Sequence, residues 1–125
     1  MVSVLLLSWN HEKYIEQAIR SIMRQGFRDL EIVYLDNNSS DNTFEIANQV
    51  LAGSGLRYVA FRRENNFGIS SNYNFLFQRS RGEYICLLSG DDWLHKDNIS
   101  EKVEVLNSFP EIGMVQSGGF WFRAA

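Results

Sequence analysis

Short continuous apolar runs alternate along this chain with segments whose apolar residues recur every three or four positions. Val2-Ser3-Val4-Leu5-Leu6-Leu7 reads as a buried first strand, and Ser8-Trp9-Asn10 as the loop after it. Tyr14, Ile15, Ala18, Ile19, Ile22 and Met23 follow at helical spacing, and Gly26 ends that segment. Asn10 is expected to cap this helix, with Glu12 and Glu16 near its positive end. Leu30 to Leu35 is a second strand, and Asp36-Asn37-Asn38-Ser39-Ser40 a polar loop. Asp41 is expected to cap a helix carrying Phe44, Ile46, Ala47, Val50 and Leu51, which Gly53-Ser54-Gly55 breaks. Leu56 to Phe61 is a third strand, Ile69 to Arg79 a helix, Gly82 a turn and Glu83 to Leu88 a fourth strand. A last helix covers Lys96 to Ser108 with Val103 and Leu106 inward, and Ile112 to Val115 opens a fifth strand.

Strands alternating with helices predict an α/β fold: a mostly parallel, Rossmann-like sheet with right-handed crossovers and helices on both faces. Ligands of such sheets bind beyond the carboxyl ends of the strands. Three polar clusters fall there: Ser8-Trp9-Asn10, Asp36-Asn37-Asn38 and Asp91-Asp92.

The 125 residues suit one domain spanning 1–125, and 45% hydrophobic against 22% charged residues excludes a disordered chain. With a net charge of −3 and no Lys/Arg stripe, nucleic acid is not an expected partner. Cys86 is the one cysteine and lies inside an apolar run, so it reads as packing, not as a catalytic thiol or half of a disulfide. Val2 to Leu7 is too short to span a membrane and lacks a charged leader. These features predict a cytoplasmic placement, with association at a membrane surface as the alternative.

Asp91-Asp92 carries the most specific chemistry. Adjacent carboxylates just after a buried strand repel one another, and a divalent cation held by oxygen ligands offsets that repulsion. Such a cation commonly serves a phosphate-bearing substrate. The plainer alternative is a helix cap or a pair of solvated loop carboxylates. Asp36 follows the second strand directly and is suited to accept from a nucleobase imide N–H or from ribose hydroxyls, or else to hold a turn. Nothing basic lies beside it in sequence. His11 and His95 lack metal-ligand spacing, and Trp93 reads as packing at the rim. The G-x-S-x-G, G-x-x-x-x-G-K and G-x-G-x-x-G signatures are absent, which counts against a hydrolase elbow, a phosphate loop and a dehydrogenase.

Taken in order, these pieces resemble the nucleotide-sugar-binding half of the inverting family 2 glycosyltransferases of GT-A fold. The resemblance runs through Ser8-Trp9-Asn10, Tyr14-Ile15, Ala18-Ile19-Arg20-Ser21-Ile22, Gln25 and the loop from Asp36 to Thr43. It continues through Asn65-Asn66-Phe67-Gly68-Ile69, Asn74, Arg81 to Ile85, Leu88 to Trp93 and Pro110 to Val115. It implies transfer of a sugar from a nucleoside diphosphate, UDP foremost, to an acceptor hydroxyl with inversion, as in polysaccharide or cell-wall building. It implies that the backbone at Ser8 and Trp9, with Asn10 and Asn66, holds the nucleoside. Asp36 would contact the base, most often uracil. Asp91 would face the ribose or the cation's water shell, and Asp92 would coordinate Mn²⁺ or Mg²⁺ on the diphosphate. The implied partners are a nucleotide-diphosphate sugar and an acceptor glycan or lipid-linked sugar.

Two departures stand out. The family's commonest metal motif is Asp-x-Asp-Asp, and Ser89 holds its first position here. The family's general base comes from a later carboxylate, and no carboxylate follows Glu111, so no catalytic base is assigned and a truncated, inactive donor half is expected. A non-catalytic nucleotide-sugar-binding fragment is the main alternative, and a nucleotidyltransferase a weaker one, since Asn10-His11-Glu12-Lys13 matches its Gly-rich basic loop poorly. The adjacent aromatics Phe120-Trp121-Phe122 predict self-association through that end.

Overall fold

The computed structural model describes residues 1–121. The order is β1 (Val2–Ser8), α1 (Ile15–Met23), β2 (Leu30–Asp36), α2 (Thr43–Ala52), β3 (Arg57–Arg62), α3 (Ile69–Phe77), β4 (Tyr84–Ser89) and α4 (Asn98–Ser108). The strands form one parallel sheet in the order β3-β2-β1-β4. The central pair, β1 and β2, is buried almost throughout, as parallel strands covered on both faces must be. The edge strands β3 and β4 are half exposed.

Side-chain alternation divides the core in two. Val2, Val4 and Leu6 of β1, with Ile32 and Tyr34 of β2, pack with Ile15, Ile19 and Ile22 of α1, Ala47 and Leu51 of α2 and Ile99 of α4. Leu5, Val33 and Leu35 face the other way and meet Leu76 of α3. Helices therefore cover both faces of the sheet. The α3 face is fastened by a stack of cations and rings. Arg63 lies 4.3 Å from the Phe67 ring centroid and 4.4 Å from that of Phe75, and Arg79 lies 3.4 Å from the Phe75 centroid. This stack ties the 65–68 loop to α3 by cation–π attraction.

The register fixes what meets at the carboxyl ends. Ser8 pairs with Asp36, Asp36 with Arg62, and Leu7 with Ser89. At the opposite end Gly82 packs so tightly that an added Cβ would sit 2.5 Å from the Ser3 amide nitrogen. The Gly82 amide donates to Ser3 Oγ at 2.7 Å, and Ser3 Oγ donates to the buried Glu31 at 2.6 Å.

Three local expectations change. Asn10 does not cap α1, which begins at Ile15 after Tyr14; Asn10 instead adopts a left-handed φ of 53° and turns its side chain to the second loop. Asp41 sits one residue before the Asn42 cap position, yet its carboxylate accepts the Thr43 amide at 3.0 Å and so still satisfies an open helix donor. The expected fifth strand at 112–115 is absent. Gly113 to Gln116 face Tyr84 to Leu87 across a cavity of about 880 Å³, so no ladder forms on the β4 edge. Phe120 and Trp121 are almost wholly exposed, and Phe122 lies outside the described residues. Among the described residues no helix is long and apolar enough to cross a membrane.

Candidate functional site

Each inter-strand ladder runs one bond past its strands, which holds the three polar loops together. The Asn37 amide donates to Ser8 O at 2.9 Å, the Gly90 amide to Leu7 O at 2.8 Å and the Arg63 amide to Asp36 O at 2.9 Å. Gly90 permits the closest of these approaches. A Cβ there would lie 2.8 Å from His11 Nδ1 and 2.9 Å from Ser8 Cβ.

Asp36 is fully buried beneath these loops. Its Oδ1 accepts from Ser39 Oγ at 2.6 Å and Ser8 Oγ at 3.1 Å, and its Oδ2 accepts the Ser39 amide at 2.8 Å. Arg62 Nε lies 3.7 Å from Oδ2, while another guanidinium nitrogen donates to Ser39 O at 2.8 Å. Tyr34 shares a 2.7 Å hydrogen bond with Ser8 Oγ, and burial foremost pushes its phenol well above the usual range. The carboxylate that the resemblance assigns to the nucleobase thus has no open face here, and its lone pairs hold the second loop. Arg62 was not legible as its neighbour in sequence, although the paired strand ends carry the signal.

Asn10 has a similar internal duty. Its Oδ1 accepts from the Ser40 amide at 2.9 Å, and its own amide donates to Ser39 Oγ at 2.9 Å. The Asn37 side chain is satisfied at both ends by the Phe67 backbone, at 2.9 Å each. Asn66 reaches Asn37 O at 3.4 Å and is otherwise exposed. Ser8 is buried, whereas Trp9 is half exposed. With Asn37, His11, Asn72 and Ser89 they line a cavity of about 250 Å³ at the carboxyl ends of β1, β2 and β4. His11 and Asn72 are the residues that sequence reasoning missed. The signal for Asn72 was a polar residue one helical turn before the core residue Leu76, on the buried stripe of α3.

Asp91 and Asp92 follow Ser89 at the rim and are both exposed. Ser89 Oγ donates to Asp91 Oδ1 at 2.6 Å, so the residue replacing the motif's first carboxylate steadies the next one. His11 Nε2 stands 3.8 Å from Asp91 Oδ2. Among the described residues, no Lys or Arg pairs with either carboxylate. Partial burial, then the Asp91 charge, raise the Asp92 carboxyl above its ordinary value, with His11 pulling the other way. Burial, then the Asp92 and Asp91 charges, likewise raise the Tyr73 phenol.

Among the described residues no three His, Cys, Asp or Glu form a closed metal centre. A carboxylate pair with no Lys or Arg partner among the described residues instead fits a hard divalent cation whose remaining positions would be filled by substrate oxygens and water.

Comparison with known proteins identifies the family and the fold. Residues 3–119 match the family described as Glycosyl transferase family 2. An uncharacterized glycosyltransferase of Rickettsia felis is 32% identical over 96% of this chain, and one of Haemophilus influenzae 26% identical over 85%. This chain spans only 19% of the first relative and 42% of the second. The fold is shared with S. aureus TarS 1-349 solved with UDP-GlcNAc, at a TM-score of 0.81 and 24% identity, covering 87% of this chain and 32% of that one. It is also shared with the mannosyltransferase PcManGT of Pyrobaculum calidifontis, solved with GDP-Man and Mn²⁺, at 0.78 and 24%, covering 84% and 32%. With the family pattern matched from residue 3 to residue 119, the chain belongs to glycosyl transferase family 2.

Proposed function

We propose that this chain is the donor-binding part of an inverting glycosyltransferase that moves a sugar from a nucleoside diphosphate, UDP foremost, to an acceptor hydroxyl. The observation that carries this reading is the Asp91-Asp92 pair, which has no Lys or Arg partner among the described residues and directly follows Ser89 in the lining of a cavity beyond the strand ends. Asp92, with Asp91 beside it, would hold Mn²⁺ or Mg²⁺. When bound, that cation supplies Lewis acidity to the departing diphosphate. The backbone at Ser8 and Trp9 borders the nucleoside, and the exposed Trp9 ring gives it an apolar wall. Asp36 and Asn10 act from below by fixing the loop that shapes this wall. The solved relatives that hold UDP-GlcNAc, and GDP-Man with Mn²⁺, support the donor class. Both acidic residues at the rim are committed to the cation, so no base for the acceptor hydroxyl is assigned among the described residues.

Titration calorimetry of the 125-residue chain with UDP tests the proposal. Binding is expected in Mn²⁺ and is expected to weaken strongly in chelator or in Asp92→Ala. Equal affinity with and without cation would refute the metal assignment. Failure of UDP to bind under either condition would refute the donor assignment.

A further inference from the structure

The buried side of α1 is apolar but for Ser21, and one turn on, just past the helix end, Gln25 is buried as well. Burying polar side chains is costly unless they are hydrogen-bonded. Both of these reach a segment 70 to 74 residues further along the chain. Ser21 Oγ donates to Ala18 O at 2.6 Å and accepts the Leu94 amide at 3.0 Å. Gln25 Nε2 donates to His95 O at 2.8 Å and to Ser21 O at 3.1 Å, and its Oε1 accepts the Ile99 amide at 3.1 Å. Reversing this amide would set its oxygen against two carbonyls, so its orientation is fixed. Ile99 lies in the first turn of α4, whose Asp97 cap position makes no side-chain bond, so Gln25 satisfies an open donor of that helix from outside it.

These bonds begin just beyond the acidic pair. On the other side of the pair, the Gly90 amide is tied to Leu7 O at 2.8 Å. Only Asp91, Asp92 and Trp93 stand between the Gly90 and Leu94 anchors. Like charges on neighbouring residues drive their carboxylates apart. A loop held at one end would yield to that repulsion, whereas three residues tied at both ends have little freedom to do so. A loop already ordered for its ligand loses less entropy on binding, which raises affinity.

We infer that Ser21 and Gln25 are positioning residues for the Asp91-Asp92 pair, holding its loop ready for a divalent cation and, through the cation, a nucleoside diphosphate. The inference rests on the donor-binding function proposed above. Both side chains are buried and act through the backbone of residues 94–99.

The readout is the Mn²⁺ concentration that gives half-maximal UDP binding, at one fixed UDP concentration, for the 125-residue chain well below its melting temperature. A role in stability alone leaves this concentration unchanged, because the molecules are already folded there. Ser21→Ala and Gln25→Met should each raise it about fivefold, within the range of one hydrogen bond. Ser21→Thr keeps a hydroxyl able to bond the carbonyl one turn back, and should behave as the parent does. Val33→Ala loosens the opposite face of the sheet and should lower the melting temperature without changing the Mn²⁺ requirement. A Ser21→Ala value within about twofold of the parent would overturn the inference. So would a Ser21→Thr value as high as that of Ser21→Ala, or an equal rise in Val33→Ala. If Gln25→Met does not fold, the two Ser21 variants decide. If the unaltered chain binds UDP without needing Mn²⁺, the cation assignment itself fails and this inference falls with it.

Discussion

Replacing Asp36 with asparagine separates a carboxylate that touches the nucleotide from one that holds the loop beneath it. The side chain keeps its size but loses its charge and one acceptor. Three hydrogen bonds converge on it, from Ser39 N, Ser39 Oγ and Ser8 Oγ, at 2.8, 2.6 and 3.1 Å. A hydrogen bond to a charged group contributes about 1.5–3 kcal/mol and a neutral one about 0.5–1.5, so each bond weakens by about 1 kcal/mol. The best orientation of the substituted amide keeps its oxygen on the Ser39 backbone N–H. Its NH₂ then meets two hydroxyls, of which Ser8 is already shared with Tyr34. Arg62 is not stranded, because it retains Ser39 O and has Glu45 3.7 Å away. The net loss is therefore about 2–3 kcal/mol, a substantial part of the about 5–15 kcal/mol that stabilises a typical domain. Urea unfolding followed by circular dichroism is the assay, with a lower midpoint and an unchanged slope expected. An Asp36→Asn protein as stable as the parent within about 0.5 kcal/mol, but binding UDP at least roughly tenfold more weakly, would refute this reasoning. It would return Asp36 to direct contact with the base.

Two further outcomes follow from the rim. The raised Asp92 carboxyl means that ionising it costs the cation-free fold stability above the ordinary carboxylate range, a cost absent below pH ~4 where the group is protonated folded or unfolded. In chelator, Asp92→Asn should therefore melt higher than the parent near neutral pH, with the difference closing as pH falls through that range; a difference that instead widens on acidification would contradict the repulsion. Gly90→Ala inserts a methyl 2.8 Å from His11 Nδ1 and 2.9 Å from Ser8 Cβ. Overpacking of this kind costs about 1–3 kcal/mol and should displace the acidic pair, so both thermal stability and Mn²⁺-dependent UDP binding are expected to drop, and retention of both would show that the loop has room to give.

Much of this protein is written locally. The apolar runs of β1 and β2 are legible because a strand buried on both faces must be apolar at nearly every position. The recurrence of Ile15, Ala18, Ile19 and Ile22 announces α1 because those positions share one face of a helix. The acidic pair after β4 is visible because adjacent like charges at a strand end are costly wherever the chain goes. What pairs with what is not local. Asp36 looks like an open loop carboxylate until the β2–β3 register brings Arg62 beside it and Ser8 and Ser39 close over it. Asn10 looks like a helix cap until the second loop comes within reach of its side chain. Residues 112–115 have the composition of a strand, but a strand exists only where a neighbour supplies the ladder, and here a cavity intervenes. Asn72 carries no motif, and only the packing of separate segments around it leaves its buried oxygen without a partner. Sequence alone determined the elements and the charges, which depend on residues near one another along the chain. Tertiary structure alone decided which polar atoms are already satisfied and which are not, because hydrogen bonds are short and several of the partners here lie some 25 to 80 residues apart.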